Sequence, residues 1–256
     1  MVLPNAKHFE RENTEQLSAS LAKPSSFRLL YWPINAVAAT SRDMLEYAGA
    51  KWENLAPAGA WPEEKIDTPF HVLPVLYIKT EDGKDLALSE TCVIEQYLAK
   101  QFGLLGSNDY EENLVRIFQS STSAVQSIFA STVTWNHPEV KEQSFQFFLG
   151  NQLLTWIATH EKHLADNGNN GHYVGNKLTL ADIRTANVID HFSVQPEAKP
   201  IMDIVGKSEA LMKVHATVMK DPKIAAWRAS EKYRGLAESS KGFFVNPRAL
   251  LAAPTK

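Results

Sequence analysis

The spacing of apolar residues along the chain changes character near residue 103. Before that point short apolar runs alternate with helical stripes. The first run, residues 27–32, is aromatic and aliphatic and is stopped by Pro33, which predicts a strand. A helix follows, with Asn35 as its N-cap, with Val37, Ser41, Met44, Leu45 and Ala48 on one face, and with Gly49 at its C-terminal end. Residues 51–55 read as a weak second strand. After an irregular Pro/Gly/Ala segment, Leu73-Pro74-Val75-Leu76-Tyr77-Ile78 reads as a third, headed by a proline. Residues 80–85 carry the Asp-Gly hairpin signal and lead to a fourth, short strand. The polar cluster Leu88-Ser89-Glu90-Thr91 then opens an amphipathic helix with Val93, Ile94, Tyr97, Leu98 and Phe102 on one face. The order is β-α-β, an irregular stretch, then β-β-α, and the first unit calls for a parallel pair with a right-handed crossover.

Residues 103–109 form a Gly/Ser/Asn/Asp linker, and beyond it the strand signal is gone. Leu114, Ile117, Phe118, Val125, Ile128 and Phe129 define a helix with an unusually polar centre at residues 119–123. Phe145, Phe148, Leu149, Leu153, Trp156 and Ile157 define a second, and residues 166–171 a flexible loop. Thr179-Leu180-Ala181-Asp182 is a capping box in its Asp form, at the head of a helix whose apolar residues surround it rather than stripe it, as in a central buried element. Asp221-Pro222 starts one more helix, with Ile224 and Trp227 inward. Four segments result: a loosely ordered polar extension over 1–25, an α/β unit over 26–103, an all-helical unit over 109–236, and a tail over 237–256.

A chain of 256 residues has ample sequence for such a core, and its net charge of −3 argues against nucleic acid or an acidic membrane surface as the main partner, since phosphate binding needs a basic face. No apolar run reaches the roughly 20 residues that span a bilayer. The N-terminus holds Glu10, Glu12 and Glu15 and has no apolar core of a signal peptide, so a cytoplasmic protein is expected. The single cysteine, Cys92, excludes an internal disulfide and a multi-cysteine metal site, and is expected to pack inside its helix. His160-Glu161-Lys162-His163 is one residue short of metalloprotease spacing, so these read as surface histidines and no metal is expected.

Taken together, the Leu73-Pro74-Val75-Leu76 run, the Glu90-Thr91 pair at a helix start and the Thr179-Leu180-Ala181-Asp182 box resemble the cytosolic glutathione S-transferases, and the match runs in order along most of the chain. The resemblance implies a thioredoxin-like N-terminal domain, an all-helical C-terminal domain, glutathione as co-substrate and a homodimer. It implies a cis bond before Pro74, with the Leu73 backbone accepting the tripeptide's cysteinyl amide. Glu90 would pair with the γ-glutamyl ammonium, and Thr91 with the helix N-terminus would hold its carboxylate. Trp61 and Lys65, in a Trp-Pro-x-x-Lys segment, would hold the glycyl carboxylate. Tyr31, in a Tyr-Trp pair where sigma-like members have Tyr-Phe, would donate to the thiol sulfur, whose free pKa near 8.5 leaves little thiolate at neutral pH.

Three departures mark a divergent branch. Thr91 replaces a serine, Ile34-Asn35-Ala36-Val37 stands where sigma-like members carry Arg-Gly-Arg, and His71-Val72 stands in place of a basic residue before Leu73. The activity implied is attack of the glutathione thiolate on an apolar electrophile, as in detoxification. The electrophile pocket is expected around residues 120–123 and the tail, where Phe243-Phe244 and Leu250-Leu251 would fold over the site or a partner subunit. A glutathione-dependent isomerase and a non-catalytic ligand-binding or structural protein of the same fold stay open as alternatives.

Overall fold

The computed structural model describes residue 6, residues 8–58 and residues 61–247. Helix α1 (Thr14–Leu21) precedes strand β1 (Pro24–Leu30). A 3-10 turn (Ala36–Ala38) enters α2 (Ala39–Tyr47), followed by β2 (Trp52–Leu55) and the short α3 (Trp61–Glu64) with its 3-10 extension (Lys65–Asp67). The hairpin β3 (Val75–Thr80) and β4 (Asp85–Ser89) leads into α4 (Thr91–Gln101). The four strands form one mixed sheet in the order β2-β1-β3-β4, with β1 and β2 parallel and the other pairs antiparallel. This is the thioredoxin-like plan. Gly83, at φ +83°, turns the hairpin as the Asp-Gly signal requires.

The rest is helical. It runs through α5 (Asp109–Phe129), a π-turn (Ala130–Thr134), α6 (Pro138–Phe147), a second π-turn (Phe148–Leu153) and α7 (Leu154–Asp166). Then come α8 (Leu180–Ser193), α9 (Ala198–Val205), α10 (Glu209–Lys220), α11 (Pro222–Arg228) and α12 (Glu231–Val245). The capping box forms: Asp182 Oδ2 accepts from the Thr179 amide at 2.8 Å and from its hydroxyl at 3.0 Å. Asp182 Oδ1 takes the Tyr173 amide at 2.8 Å, which ties the preceding loop to the same carboxylate. Behind this cap α8 is buried on every side, with α5 and α10 against it and α2 of the sheet layer on another flank.

Two buried ionic clusters join the layers. Arg184 on α8 donates to Glu95 on α4 at 3.0 Å and to Gln126 on α5 at 2.6 Å, and Gln119 donates to the other Glu95 oxygen at 2.7 Å. Arg228 and Asn187 both donate to Asp43 on α2, at 2.6 and 2.9 Å, and Arg228 also pairs with Asp190. Each charge in these two clusters has an opposite partner, which the cost of burying an ion favours.

Several expectations need correction. The polar extension is not uniformly loose: α1 docks on the hairpin, where Lys84 donates to Ser20 at 2.7 Å, Ser20 to Asp82 at 2.9 Å and Tyr97 Oη to the Leu21 carbonyl at 2.8 Å. Val93 and Ile117 are exposed although the periodicity turns them inward. On α4 the inward face includes Glu95 instead, because Arg184 neutralises it. Asn35 does not cap its helix through its side chain; its own amide donates to Ser240 on α12. Cys92 is half-buried. His160 is a core residue, its ring nitrogens 2.6 Å from Tyr173 Oη and 3.0 Å from Ser121 Oγ. Leu250-Leu251 lies outside the described residues.

Burial, helped by the nearby His163, pushes His160 down to about 4. The unfolded chain takes up this proton near pH 6.5 and the folded chain only near 4, so stability present above 6.5 is lost as the pH falls. Urea unfolding between pH 6.5 and 4 is expected to lose about 3 kcal/mol through this ring. A His160→Gln variant is expected to lose correspondingly less over the same interval, and an equal loss in both proteins would contradict the assignment.

Candidate active site

The strand register assembles the site. Leu30 at the end of β1 pairs with Val75 at the start of β3, and Val75 pairs with Ser89 at the end of β4. The next residue on each strand is therefore delivered to one edge of the sheet: Tyr31, Pro74 and Glu90. Leu55, the last residue of β2, pairs with Leu30 and accepts from the Tyr31 amide at 3.0 Å, so the segment leading to Trp61 leaves from the same edge. Trp61 meets Trp32 edge to face, 5.5 Å between ring centres, and Lys65 is half-buried on the turn behind it.

Local backbone geometry marks the same edge. The Leu73–Pro74 bond is cis. Glu90, at φ 70° and ψ 121°, sits in a region L-residues rarely occupy, and such outliers concentrate at functional sites. Its side chain makes no capping bond to α4 and is exposed, so the carboxylate is available to a ligand rather than spent on the helix. Thr91 opens the helix, half-buried.

Tyr31 is buried, and desolvation pushes its phenol up to about 12 against the opposing pull of Arg42, a Val37 backbone hydrogen bond and Arg184. The hydroxyl is thus a neutral donor across the physiological range. Arg42 lies over the Tyr31 ring, 5.7 Å from its centre. Its guanidinium donates to the carbonyls of Ile34 at 2.5 Å and Trp32 at 3.1 Å and to Asn54 at 2.8 Å, which pins the loop carrying Tyr31 to β2.

Beside Tyr31 opens a cavity of about 260 Å³ between the sheet edge and the helices. Trp32, Ile34 and Val37 form one wall, Gln126, Ser127, Ala130, Thr134 and Trp135 along α5 and its π-turn another, and His191, Phe243 and Phe244 close it. It corrects the expected pocket. Ser120 and Ser121 are exposed and Thr122 and Ser123 are buried in the bundle, while the wall is built one to three turns further on. Phe243 and Phe244, from the expected tail segment, line this cavity.

Comparison with known proteins decides the family. The family described as "Glutathione S-transferase, C-terminal domain" matches residues 125–231. The chain is 30% identical over 174 residues to "Probable glutathione S-transferase 6" of Caenorhabditis elegans, a match covering 61% of this chain and 75% of that protein. The chain belongs to the glutathione S-transferase family. Within that family it is also 26% identical to the "Hematopoietic prostaglandin D synthase" of Gallus gallus, over 78% of this chain and 98% of that one. The solved "Fasciola hepatica sigma class GST" shares the fold at a TM-score of 0.69, with 24% identity, 81% of this chain covered and 98% of that chain.

Set in this family, three residues at the site carry no signal in the sequence that singles them out: Arg42, Gln126 and His191. Arg42 stands mid-helix and the other two read as polar positions in apolar helices, so only their long-range partners reveal them. Their common mark is a polar side chain on the buried side of an element.

The Tyr31 phenol gives a test of this geometry. Above pH 10 the unfolded chain ionises its tyrosines while the folded Tyr31 holds its proton to about 12, so stability falls as pH rises between those values. The stability difference between wild type and Tyr31→Phe is expected to shift against wild type by about 2–3 kcal/mol over this interval in urea unfolding. A pH-independent difference would mean that Tyr31 ionises normally.

Proposed function

We propose that this protein is a tyrosine-type glutathione transferase that activates the glutathione thiol for attack on an apolar electrophile. The observation that carries the reading is convergence: Tyr31, Pro74 and Glu90 leave adjacent strands at one sheet edge, beside an apolar cavity. Bound there, glutathione supplies the nucleophilic sulfur. Tyr31 donates its phenol proton in a hydrogen bond to that sulfur and lowers the thiol pKa, since a donor favours the charged form. Its own raised pKa keeps it a donor rather than a competing anion. The Leu73 backbone before Pro74 accepts the cysteinyl amide. The exposed Glu90 carboxylate takes the γ-glutamyl ammonium, and Thr91 with the first amides of α4 takes its carboxylate. Trp61 and Lys65 take the glycyl carboxylate.

In this reading residues 26–103 bind glutathione and residues 109–236 supply the wall for the second substrate. The protein works as a cytoplasmic homodimer. Family membership supports both points, and the apolar cavity supports conjugation of an apolar molecule. Arg42, locked beneath the Tyr31 ring, supplies a cation near the phenol although the Arg-Gly-Arg segment is missing.

Calorimetry of glutathione binding beside turnover of chlorodinitrobenzene, for wild type and Tyr31→Phe, tests the reading. Binding is expected to change by no more than about tenfold, the worth of one hydrogen bond, while the rate falls by about 10²-fold. Binding in wild type with no turnover of any electrophile would instead favour a non-catalytic carrier, and no binding would remove the site.

A further inference from the structure

One polar group in the cavity wall is oriented from behind. Gln126 is 3% exposed, and its Oε1 accepts from Arg184 Nη2 at 2.6 Å. A guanidinium only donates, so the carboxamide oxygen must face Arg184 and the NH2 group must face away. Arg184 cannot swing aside, because Glu95 holds its other arm at 3.0 Å and Gln119 holds Glu95. Among the described residues Gln126 Nε2 meets no acceptor, and Gln126 lines the cavity together with Tyr31 and His191. His191 brings no charge: burial, then Arg184, push it down to about 3, and Gln195 Nε2 lies 3.3 Å from its ring. Gln126 thus brings to an apolar wall an amide donor pair whose direction Arg184 fixes, in the same cavity that Tyr31 lines.

We propose that Gln126 determines specificity for the second substrate: its Nε2 donates to an electrophile's carbonyl oxygen, so that apolar α,β-unsaturated carbonyl compounds gain over electrophiles that expel a halide. The proposal rests on the transferase reading above. The sulfur of the glutathione thiolate forms a bond to the β-carbon. The alkene π pair shifts to make the enolate, whose negative charge settles on the carbonyl oxygen. A proton from water then adds to the α-carbon, which balances the proton lost when the thiol ionised. The Gln126 donors strengthen their hold as charge grows on the oxygen, which is the condition for lowering the barrier. A substrate that expels its charge as a departing halide draws no such benefit.

Gln126→Glu keeps an acceptor for Arg184 and removes the NH2 donors; Gln126→Met removes both and guards against an effect of the new charge. The ratio of kcat/KM for benzylideneacetone to that for benzyl chloride is expected to fall by about 10²-fold in either variant, the usual cost of losing one donor to a developing oxyanion. A second measurement needs no glutathione. Quenching of the tryptophan fluorescence, with Trp32 and Trp135 in the wall, reports binding of benzylacetone and of butylbenzene. The Kd ratio of ketone to hydrocarbon is expected to rise by about 3- to 10-fold in both variants, the worth of one neutral hydrogen bond. Turnover of both substrates with neither ratio moved would overturn the role of Gln126 and leave the transferase reading intact. A shift in the binding ratio with no turnover in wild type would support the Gln126 contact and overturn the transferase reading.

Discussion

Glu95 and Arg184 are sealed in the interior where the helix closing the sheet meets the helical bundle, 0% and 2% exposed at their side chains. Each ion alone would be prohibitively costly there, since an unpaired buried charge destabilises by several kcal/mol. Burial raises the Glu95 pKa, and Arg184 and Gln119 oppose that rise. The pair therefore survives only while α4, α5 and α8 keep their mutual positions. The same Arg184 fixes Gln126 from behind and sits within electrostatic reach of both Tyr31 and His191. A structural constraint and the polarity of the cavity thus share one side chain.

The Asp43 cluster plays the complementary part at α2. Arg228 bridges Asp43 and Asp190, and Asn187 completes the set, so the sheet layer is tied to α8 at two separated points. The loop bearing Tyr31 is pinned in turn through the Trp32 and Ile34 carbonyls by Arg42. Apolar packing supplies the driving force here as elsewhere, but it does not choose one register of sheet against bundle. Directional bonds between buried ions do, and a site built from strand ends on one side and helix faces on the other needs that choice made.

Much of this was legible in the sequence. Short apolar runs and the Asp-Gly turn gave the strands, although β1 runs from Pro24 to Leu30 and stops short of Pro33, and Thr179 with Asp182 gave the buried central helix. Tyr31, Pro74 and Glu90 stood out because each punctuates an element end, where pattern and turn chemistry are most informative. What stayed hidden depends on contacts between residues far apart in the chain. Helix α1 is short, lacks a side-chain cap and is held by Lys84 and Tyr97 more than sixty residues away. Glu95 breaks an apolar face and turns Val93 outward, which makes sense only once Arg184, 89 residues later, is beside it. His160 reads as a surface residue until Tyr173 and Ser121 are seen to satisfy its ring.

A double-mutant cycle measures directly how strongly the Glu95–Arg184 pair couples the two layers. Unfolding free energies of wild type, Glu95→Gln, Arg184→Met and the double variant give the coupling. Each single change is expected to cost about 3–5 kcal/mol and the double change clearly less than their sum, with a coupling of about 2–3 kcal/mol. Additive losses, with a coupling near zero, would mean that the pair is incidental and that the layers are held in register by something else.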